Sequence, residues 1–500
     1  MIVITSVYSG NGEENGFMYD VTIIGAGIVG TSIAREFAKY ELKTVLVDKE
    51  NDVSNGTTKA NSAIVHAGFD CKPGTLKAET NVRGNALYEQ LCKELDVPFK
   101  KIGSFVTAFN EQDLAHLKFL KRQGEANGVQ GLEILSREEV LNREPNLSQE
   151  AIAALYAPTA GIVGSFELAI ALAENAADNG VEILLNSPVT AIEKTPHGYR
   201  LTAGENVIES RYVINCAGLY ADKINNLVNE PYFEILPFAG EYNLFDRSTG
   251  DYLNTIVFQP PSDKGKGVVA LPTVEGNFLI GPTSDGPKER NNVKTTRKGM
   301  QELREKGMKV LPDFPFHKVI TSFTGLRAKT PDNDFIIDEP AGSPRFINVA
   351  AIDSPGLTAA PAIAEKVVQM VKENHGLLVE DMDFIPSRRP VNRFIEAPAE
   401  EKARLINYDP RYGRIICRCE NITEGDIVDM IHRNAGAETI DGVKRRVRAG
   451  AGRCQGGFCA PRVMEILARE MNVDITSIVK DKKESYLLTG ETKAPAKEFV

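Results

Sequence analysis

The sequence predicts an α/β protein with three parts: a Rossmann-like nucleotide-binding domain, a segment rich in antiparallel strand patterns, and a small helical C-terminal module built around cysteines. Three observations predict it. A strand, glycine turn, helix and second strand open the chain at "DVTIIGAGIVGTSIAREFAKYELKTVLVDKE". Short β-like runs separated by Gly, Pro and Asp fill residues 226–320. Four of the seven cysteines fall between positions 417 and 459.

At 500 residues the chain is too long for one hydrophobic core, so two or three domains are expected. A composition of 42% hydrophobic and 25% charged residues is that of an ordinary globular protein. The net charge of −10 argues against a general nucleic-acid binder, which needs a basic face. An anionic substrate is still allowed, because a few local arginines can reverse the potential inside a pocket. The opening "MIVITSVYSGNGEENGF" has no basic n-region and no long apolar run, so it is not a secretory signal. Residues 1–17 are expected to be disordered or an upstream mis-start before "MYDVTIIGAG". No run of about 18 apolar residues predicts a membrane-spanning helix. The clustered, odd-numbered cysteines read as reduced thiols in a cytoplasmic compartment.

In the first landmark, residues 21–24 read as a buried strand and 28–40 as a helix with apolar residues at helical spacing. Between and around them lie Gly25, Ala26, Gly27, Ile28, Val29 and Gly30. The first glycine permits the tight turn, the second lets backbone approach a pyrophosphate, and the third lets helix pack on strand. The helix N-terminus then faces phosphate charge. A second strand, 44–47, ends at Asp48 and Lys49, with the acid placed to accept hydrogen bonds from ribose hydroxyls. That acid suits FAD or NAD and would repel the extra phosphate of NADP.

Three further segments select FAD. "VINCAGLYADKI" (213–224) reads as a strand running into the small-residue turn Ala217-Gly218. "NVAAIDSPGLTAAPAIAEKVVQMVK" reads as a strand, then Ser354, Pro355, Gly356 and Leu357, then a long amphipathic helix from near Thr358. The start of that helix offers unpaired N–H groups and a positive dipole end, which favours the negative charge of a reduced flavin. The third segment, "NGTTKANSAIVHAGFD", contains Asn61, Ser62 and His66.

The order of "GAGIVG", "NSAIVHAGFDCKPGTLKAE", "GIVGSFELAIALAENA", "VINCAGLYAD", "GLRAKTPDNDFII" and "SPGLTAAPAIAE" resembles the FAD-dependent D-amino-acid-oxidase-type superfamily over residues 18–480. Within it the chain is similar to two groups. "HAGFDCKPGTLKA" resembles the L-2-hydroxyglutarate dehydrogenases, and the added C-terminal module resembles the large subunit of anaerobic glycerol-3-phosphate dehydrogenase. The resemblance implies an FAD domain assembled from separated segments (about 18–98, 155–225 and 320–375) with Val189 among its FAD contacts. It also implies a mostly antiparallel α+β substrate domain inserted between them (about 99–154 and 226–319). Residues 100–150 look helical. A linker is expected at 385–411, a [2Fe–2S] domain at 412–475 and a C-terminal tail at 476–500, of which "TGETKAPAKEFV" looks unstructured.

Oxidising a carbinol requires its C–H to face the flavin, a base for the hydroxyl proton, and a group that fixes the substrate's far end. Of six histidines, His116 and His197 read as solvated bystanders. His66 lies in the segment the family places beside the flavin ring. Flavin contact or proton handling is expected of it, rather than the covalent attachment seen in some relatives. Arg327 in "SFTGLRAKT" matches the family arginine that clamps an anionic group, and its forked donors suit carboxylate or phosphate. In "PFAGEYNLF" Ala239 stands where the family usually has arginine, leaving Glu241 and Tyr242 as pocket candidates. Lys59 and Lys77 are further candidates for positive charge.

The late cysteines follow the pattern Cys417-x-Cys419 and Cys454-x4-Cys459. Neither pair has the Cys-x2-Cys spacing usual for structural zinc. The segment resembles the bacterioferritin-associated-ferredoxin-like [2Fe–2S] domain, whose ligand pattern all four match. Arg418, Lys444, Arg445, Arg446, Arg448 and Arg453 are expected to supply cationic surroundings. "TEGD" reads as a capping box, and Ala460-Pro461 as a helix start behind Cys459. Cys71, Cys92 and Cys216 read as incidental thiols.

Joining a two-electron flavin to a one-electron cluster implies a dehydrogenase that hands electrons to a separate acceptor. That acceptor is expected to be an electron-acceptor protein, or a quinone-linked or NAD-linked flavoprotein. The expected substrate is a small anionic hydroxy compound, with the glycerol-3-phosphate type first and the L-2-hydroxyglutarate type second. An amino-acid dehydrogenase of the same superfamily and a redox-sensing docking flavoprotein are the alternatives.

Overall fold

The computed structural model describes residues 18–260, 267–376 and 378–490, so expectations for residues 1–17 and 491–500 lie outside the described residues. Two eight-stranded sheets organise the oxidoreductase part. The first is centred on Met18–Ile24, which pairs in parallel with Thr44–Val47 on one side and Asn206–Asn215 on the other. Phe346–Ala350 also joins in parallel, against the end of Asn206–Asn215. These strands are apolar on both faces because both are covered, one by helices and the other chiefly by Ile192, Tyr199 and Leu201 of the hairpin strands Val189–Thr195 and Gly198–Ala203. The helix Ile28–Phe37 packs against Ser165–Asp178 and Gly356–His375, burying Ile33, Phe37, Ile170, Ile363 and Val367 in one core.

The second sheet runs in the order Val319–Lys329, Leu236–Phe245, Phe278–Gly281, Val269–Pro272, Ile256–Phe258, Ser104–Ala108, Ala153–Ala157 and Glu133–Ser136. Only the pairing of Ile256–Phe258 with Ser104–Ala108 is parallel. The strands "EYNLFD", "GVVAL" and "NFLIGP" are therefore antiparallel as expected. Residues 100–150 are not all helical. They include Ser104–Ala108 and Glu133–Ser136, whose short apolar runs find partners far away in sequence. The strand Val319–Lys329, which carries Arg327, belongs to this sheet and not to the nucleotide domain. The expected segment boundary near 320 thus moves past it.

The C-terminal module packs Glu424–Ile431, Ile440–Val447 and Ala460–Met471 around Ile427, Val443, Val463 and Leu467. Thr423 and Asp426 form the expected capping box, and Cys459 caps the last of these helices. The expected linker does not hang free. It contains the helix Ala399–Tyr408, and Arg393 reaches back to Asp96 at 2.9 Å. In the C-terminal tail segment, Asp481 pairs with Lys59 and with Arg445. No described helix is long and apolar enough to cross a membrane.

Buried charge joins the module to the nucleotide domain. Asp52, on the loop after Thr44–Val47, receives Arg445 at 2.8 Å and Arg446 at 2.7 Å. Glu174 sits between Arg388 at 2.6 Å and Arg433 at 2.9 Å, all with side chains 2–3% exposed. Burial alone would raise the pKa of Asp52, but Arg446 and Arg445 outweigh it and hold the carboxyl below the usual range. Removing one partner from such a group leaves unpaired buried charge. We expect Asp52→Asn to cost about 3–5 kcal/mol of docking stability, seen as an earlier denaturation midpoint. The same contribution should be complete above about pH 4 and disappear as acid titrates the depressed carboxyl. A midpoint that ignores both the substitution and pH below 4 would contradict this.

Candidate functional site

A cavity of about 1970 Å³ lies between the two sheets. Its floor is the glycine turn. A side chain at Gly25 would meet the Cys216 carbonyl oxygen at 2.4 Å, and one at Gly30 would meet the Gly25 carbonyl oxygen at 1.9 Å. Helix, turn and strand end are therefore in direct backbone contact, which no larger residue permits. At Gly27 a side chain would touch only the Thr58 hydroxyl, at 3.2 Å, and would otherwise enter space that belongs to the cavity. Gly27, the N-cap, has no side chain to close the helix, and the Ile28 amide donates instead to the Thr58 hydroxyl at 3.0 Å. Asp48 accepts hydrogen bonds from the Ala26 and Glu50 amides at 2.6 and 2.8 Å. Burial still raises its pKa, although both amides oppose the shift.

Most of the expected cofactor contacts converge here. Gly25, Gly27, Ile28, Val29, Asp48, Lys49, Asn61, Ser62, Ala217, Gly218, Ser354, Pro355, Gly356 and Leu357 all line the cavity. Three residues act one step back. The Ala26 amide orients Asp48, Gly30 closes helix onto turn, and the Thr358 hydroxyl accepts the His66 amide at 2.9 Å. Val189 does not reach the cavity but packs on the core around Ile24, Val45 and Val47. The N-terminus of Gly356–His375 also opens into the cavity, with no side-chain cap and no acid in its first turn. An open pyrophosphate cradle, a ribose-facing acid and a second helix start fit a dinucleotide carrying a flavin.

On the opposite wall the guanidinium of Arg327 hydrogen-bonds Tyr242, which also bonds Ser62. No carboxylate pairs with Arg327 among the described residues, and the Gly240 backbone passes close beneath it. Tyr242 stacks on Phe323 with ring centroids 4.9 Å apart. Burial raises its pKa, with Arg327 opposing, and the phenol stays neutral. The backbone of His66 is fixed by Thr358 on one side and by Asn85, which donates to its carbonyl at 3.0 Å, on the other. Its ring lies 5.9 Å from that of Phe258.

Glu241 is no pocket residue. Side chains alternate along Leu236–Phe245, so Tyr242 faces the cavity and Glu241 the other side. There its carboxylate accepts the Thr296 amide and hydroxyl at 2.7 and 2.8 Å, holding the start of Arg297–Val310. Lys77 and Lys59 line the cavity but are already paired, with Asp353 and Asp481 at 2.5 Å each. The aromatic faces of Phe258 and Phe323 and the acid Asp353 had no sequence signal beyond their strands. The cationic helix "DGVKRRVR" did have one, a repeat at three, four and seven residues, but its meaning depends on the docking of the module.

The cysteines sort into two pairs. Cys419 and Cys454 have sulfurs 3.6 Å apart, and Cys417 hydrogen-bonds Cys459. Among the described residues no three metal-ligating groups converge on one point. A single tetrahedral zinc wants four sulfurs about one centre, whereas two pairs match two irons. The bond from Cys459 lowers the pKa of Cys417, aided by amides of Gly450, Glu420 and Cys419. The expected cationic halo is mostly engaged elsewhere. Arg445 and Arg446 hold Asp52, Arg448 holds Glu420, and Arg453 holds Asp246. Backbone amides supply the donors instead.

A family profile described as "FAD dependent oxidoreductase" (DAO) matches residues 20–370, and one described as a BFD-like [2Fe-2S] binding domain matches residues 415–469. A protein named glycerol 3-phosphate dehydrogenase from Caloramator mitchellensis is 52% identical over 477 residues, spanning 95% of this chain and 99% of its own. The L-2-hydroxyglutarate dehydrogenase of Bos taurus is 27% identical, over 72% of this chain and 90% of its own. The FAD-bound L-alpha-glycerophosphate oxidase of Mycoplasma pneumoniae superposes with a TM-score of 0.70 at 31% identity, covering 74% of this chain and 98% of that one.

The paired thiols generate a direct expectation. Anaerobically purified protein should hold about two irons per chain and no stoichiometric zinc. Cys454→Ser should lose iron while keeping its flavin, as measured by metal analysis and visible absorption. One zinc per chain would contradict the pairing.

Proposed function

The chain belongs to the DAO family of FAD-dependent oxidoreductases and carries a BFD-like [2Fe-2S] domain; from that premise we propose that it oxidises the secondary alcohol of glycerol 3-phosphate and sends the electrons out through the cluster. The observation that carries the substrate reading is Arg327, a guanidinium without a carboxylate partner among the described residues, facing the cavity beside Tyr242. Its fork suits a phosphate dianion, and Tyr242 and Ser62 keep it from turning away. The hydroxyglutarate reading shares the anion, but the L-2-hydroxyglutarate dehydrogenase of Bos taurus is 27% identical against 52% for the glycerol 3-phosphate dehydrogenase of Caloramator mitchellensis. The amino-acid and sensor readings have no observation in their favour.

When bound, FAD supplies an acceptor for the hydride of the carbinol C–H, and the [2Fe–2S] cluster relays electrons singly. The protein's own residues do the rest. Arg327 fixes the phosphate and so sets the distance of the carbinol carbon from the cofactor. Phe258 and Phe323 exclude water from the reaction space. His66, with its backbone fixed at both N–H and C=O, takes the hydroxyl proton on a ring nitrogen as the carbonyl forms. The products are dihydroxyacetone phosphate, two protons and two electrons, one proton and both electrons leaving together as the hydride. Cys419 is exposed, as is the neighbouring aromatic Phe458, so electrons leave on that side to a cytoplasmic acceptor protein.

We expect Arg327→Met to lower kcat/KM for glycerol 3-phosphate by about 2–4 kcal/mol, on the order of 30- to 1000-fold. Arg327→Lys should recover only part of it, because an ammonium lacks the fork. Steady-state kinetics with a dye acceptor measure both. An unaltered KM and kcat in R327M would remove the anion clamp from this account.

A further inference from the structure

The helix Ile440–Val447 belongs to the cluster module, yet one of its faces is a wall of the flavin cavity. Asp441, Lys444, Arg445 and the C-capping Arg448 all line it, at spacings of three, four and seven residues. That spacing is a single stripe along a helix.

The helix that carries the stripe packs against the loop around Asp52, behind the glycine turn. A side chain at Gly442 would sit 3.2 Å from the Asp52 carboxylate, and Asp52 is two residues from Ser54, whose amide bonds the Ala26 carbonyl at 2.8 Å. Beside it Thr58 accepts the Ile28 amide at 3.0 Å, and Ser165 donates to the Thr58 carbonyl at 3.1 Å. The glycine turn and the module helix are thus separated by only one layer of loop.

The charges along the stripe are not equivalent. Arg445 is neutralised by Asp52 and Asp481, Arg448 by Glu420, and Asp441 by Lys480. Lys444 has a single long bond, 3.5 Å to the Gln455 side-chain oxygen, and no carboxylate in ion-pair range among the described residues. Burial is the main cause that lowers its pKa. A partly enclosed ammonium facing a cavity needs an anion there.

We propose that Lys444 binds the diphosphate of FAD, so that the module that exports electrons also closes the cofactor into its site. This rests on the FAD reading above. Holding a diphosphate asks of Lys444 only a charge and three donors, with no bond made or broken. Two groups in the reaction carry phosphate, FAD and the substrate, and the experiment separates them.

Lys444→Met and Lys444→Arg are prepared as holoproteins, with cluster absorption confirming that the module is folded. FAD release is followed by flavin fluorescence after dilution into salt, and KM for glycerol 3-phosphate is measured with excess FAD. K444M should release FAD at least about tenfold faster, the loss of one charge-assisted hydrogen bond. K444R should stay near the parent protein, with KM unchanged in both. Equal release rates would overturn the assignment. A raised KM with unchanged release would give the ammonium to the substrate phosphate, and that too overturns it. The flavin content of the unsubstituted protein tests the parent reading separately.

Discussion

One carboxylate, Asp52, held between Arg445 and Arg446, ties the position of one redox site to the other. It lies four residues after Asp48, which lines the cavity, and is gripped by the helix whose next turn leads to Cys454. Buried ion pairs are weak contributors to net stability, but they punish misalignment because every alternative leaves a charge unpaired. Here that property serves geometry. Arg453, which precedes Cys454, adds a pair with Asp246. Arg448 bonds both Glu420, which follows Cys419, and Asn277 of the antiparallel sheet. The module is therefore anchored to both halves of the oxidoreductase part.

The remaining architecture follows from where parallel strands end. Ligands of such sheets bind beyond the carboxyl ends of the strands. The loops after Met18–Ile24, Thr44–Val47 and Asn206–Asn215 supply Gly25 and Gly27, Asp48 and Ala217 to one cavity. The antiparallel sheet presents Tyr242 and Arg327 from adjacent strands to the same space, Tyr242 opposite Phe323 and Arg327 opposite Phe238 across Leu236–Phe245 and Val319–Lys329. In the proposed reaction one sheet holds the substrate and the other the cofactor.

The nucleotide site was legible in the sequence because its chemistry is local: a glycine turn, an acid at a strand end and a helix start lie within about thirty residues. The four cysteines were legible for the same reason. Arg327 was found through resemblance, since nothing around it in sequence marks a pocket. The misplacement of Glu241 shows the limit. Alternation along a strand separates it from Tyr242, but which face meets the cavity depends on a sheet whose partners are scattered from residue 104 to residue 329. The cationic surroundings assigned to the cluster failed likewise. Arg445 and Arg446 look idle in sequence until Asp52, nearly four hundred residues away, is brought beside them. Val189 was placed by family position and packs into core instead.

The central claim is that substrate electrons cross from the flavin site to the cysteine module within a single chain. Its most direct test is anaerobic mixing of the fully oxidised protein with glycerol 3-phosphate, followed by electron paramagnetic resonance of the frozen sample. Flavin absorption should bleach and a reduced [2Fe–2S] signal should grow in the same chain, with Cys454→Ser losing the second change and keeping the first. Bleached flavin beside a cluster that stays silent in the unsubstituted protein would contradict it.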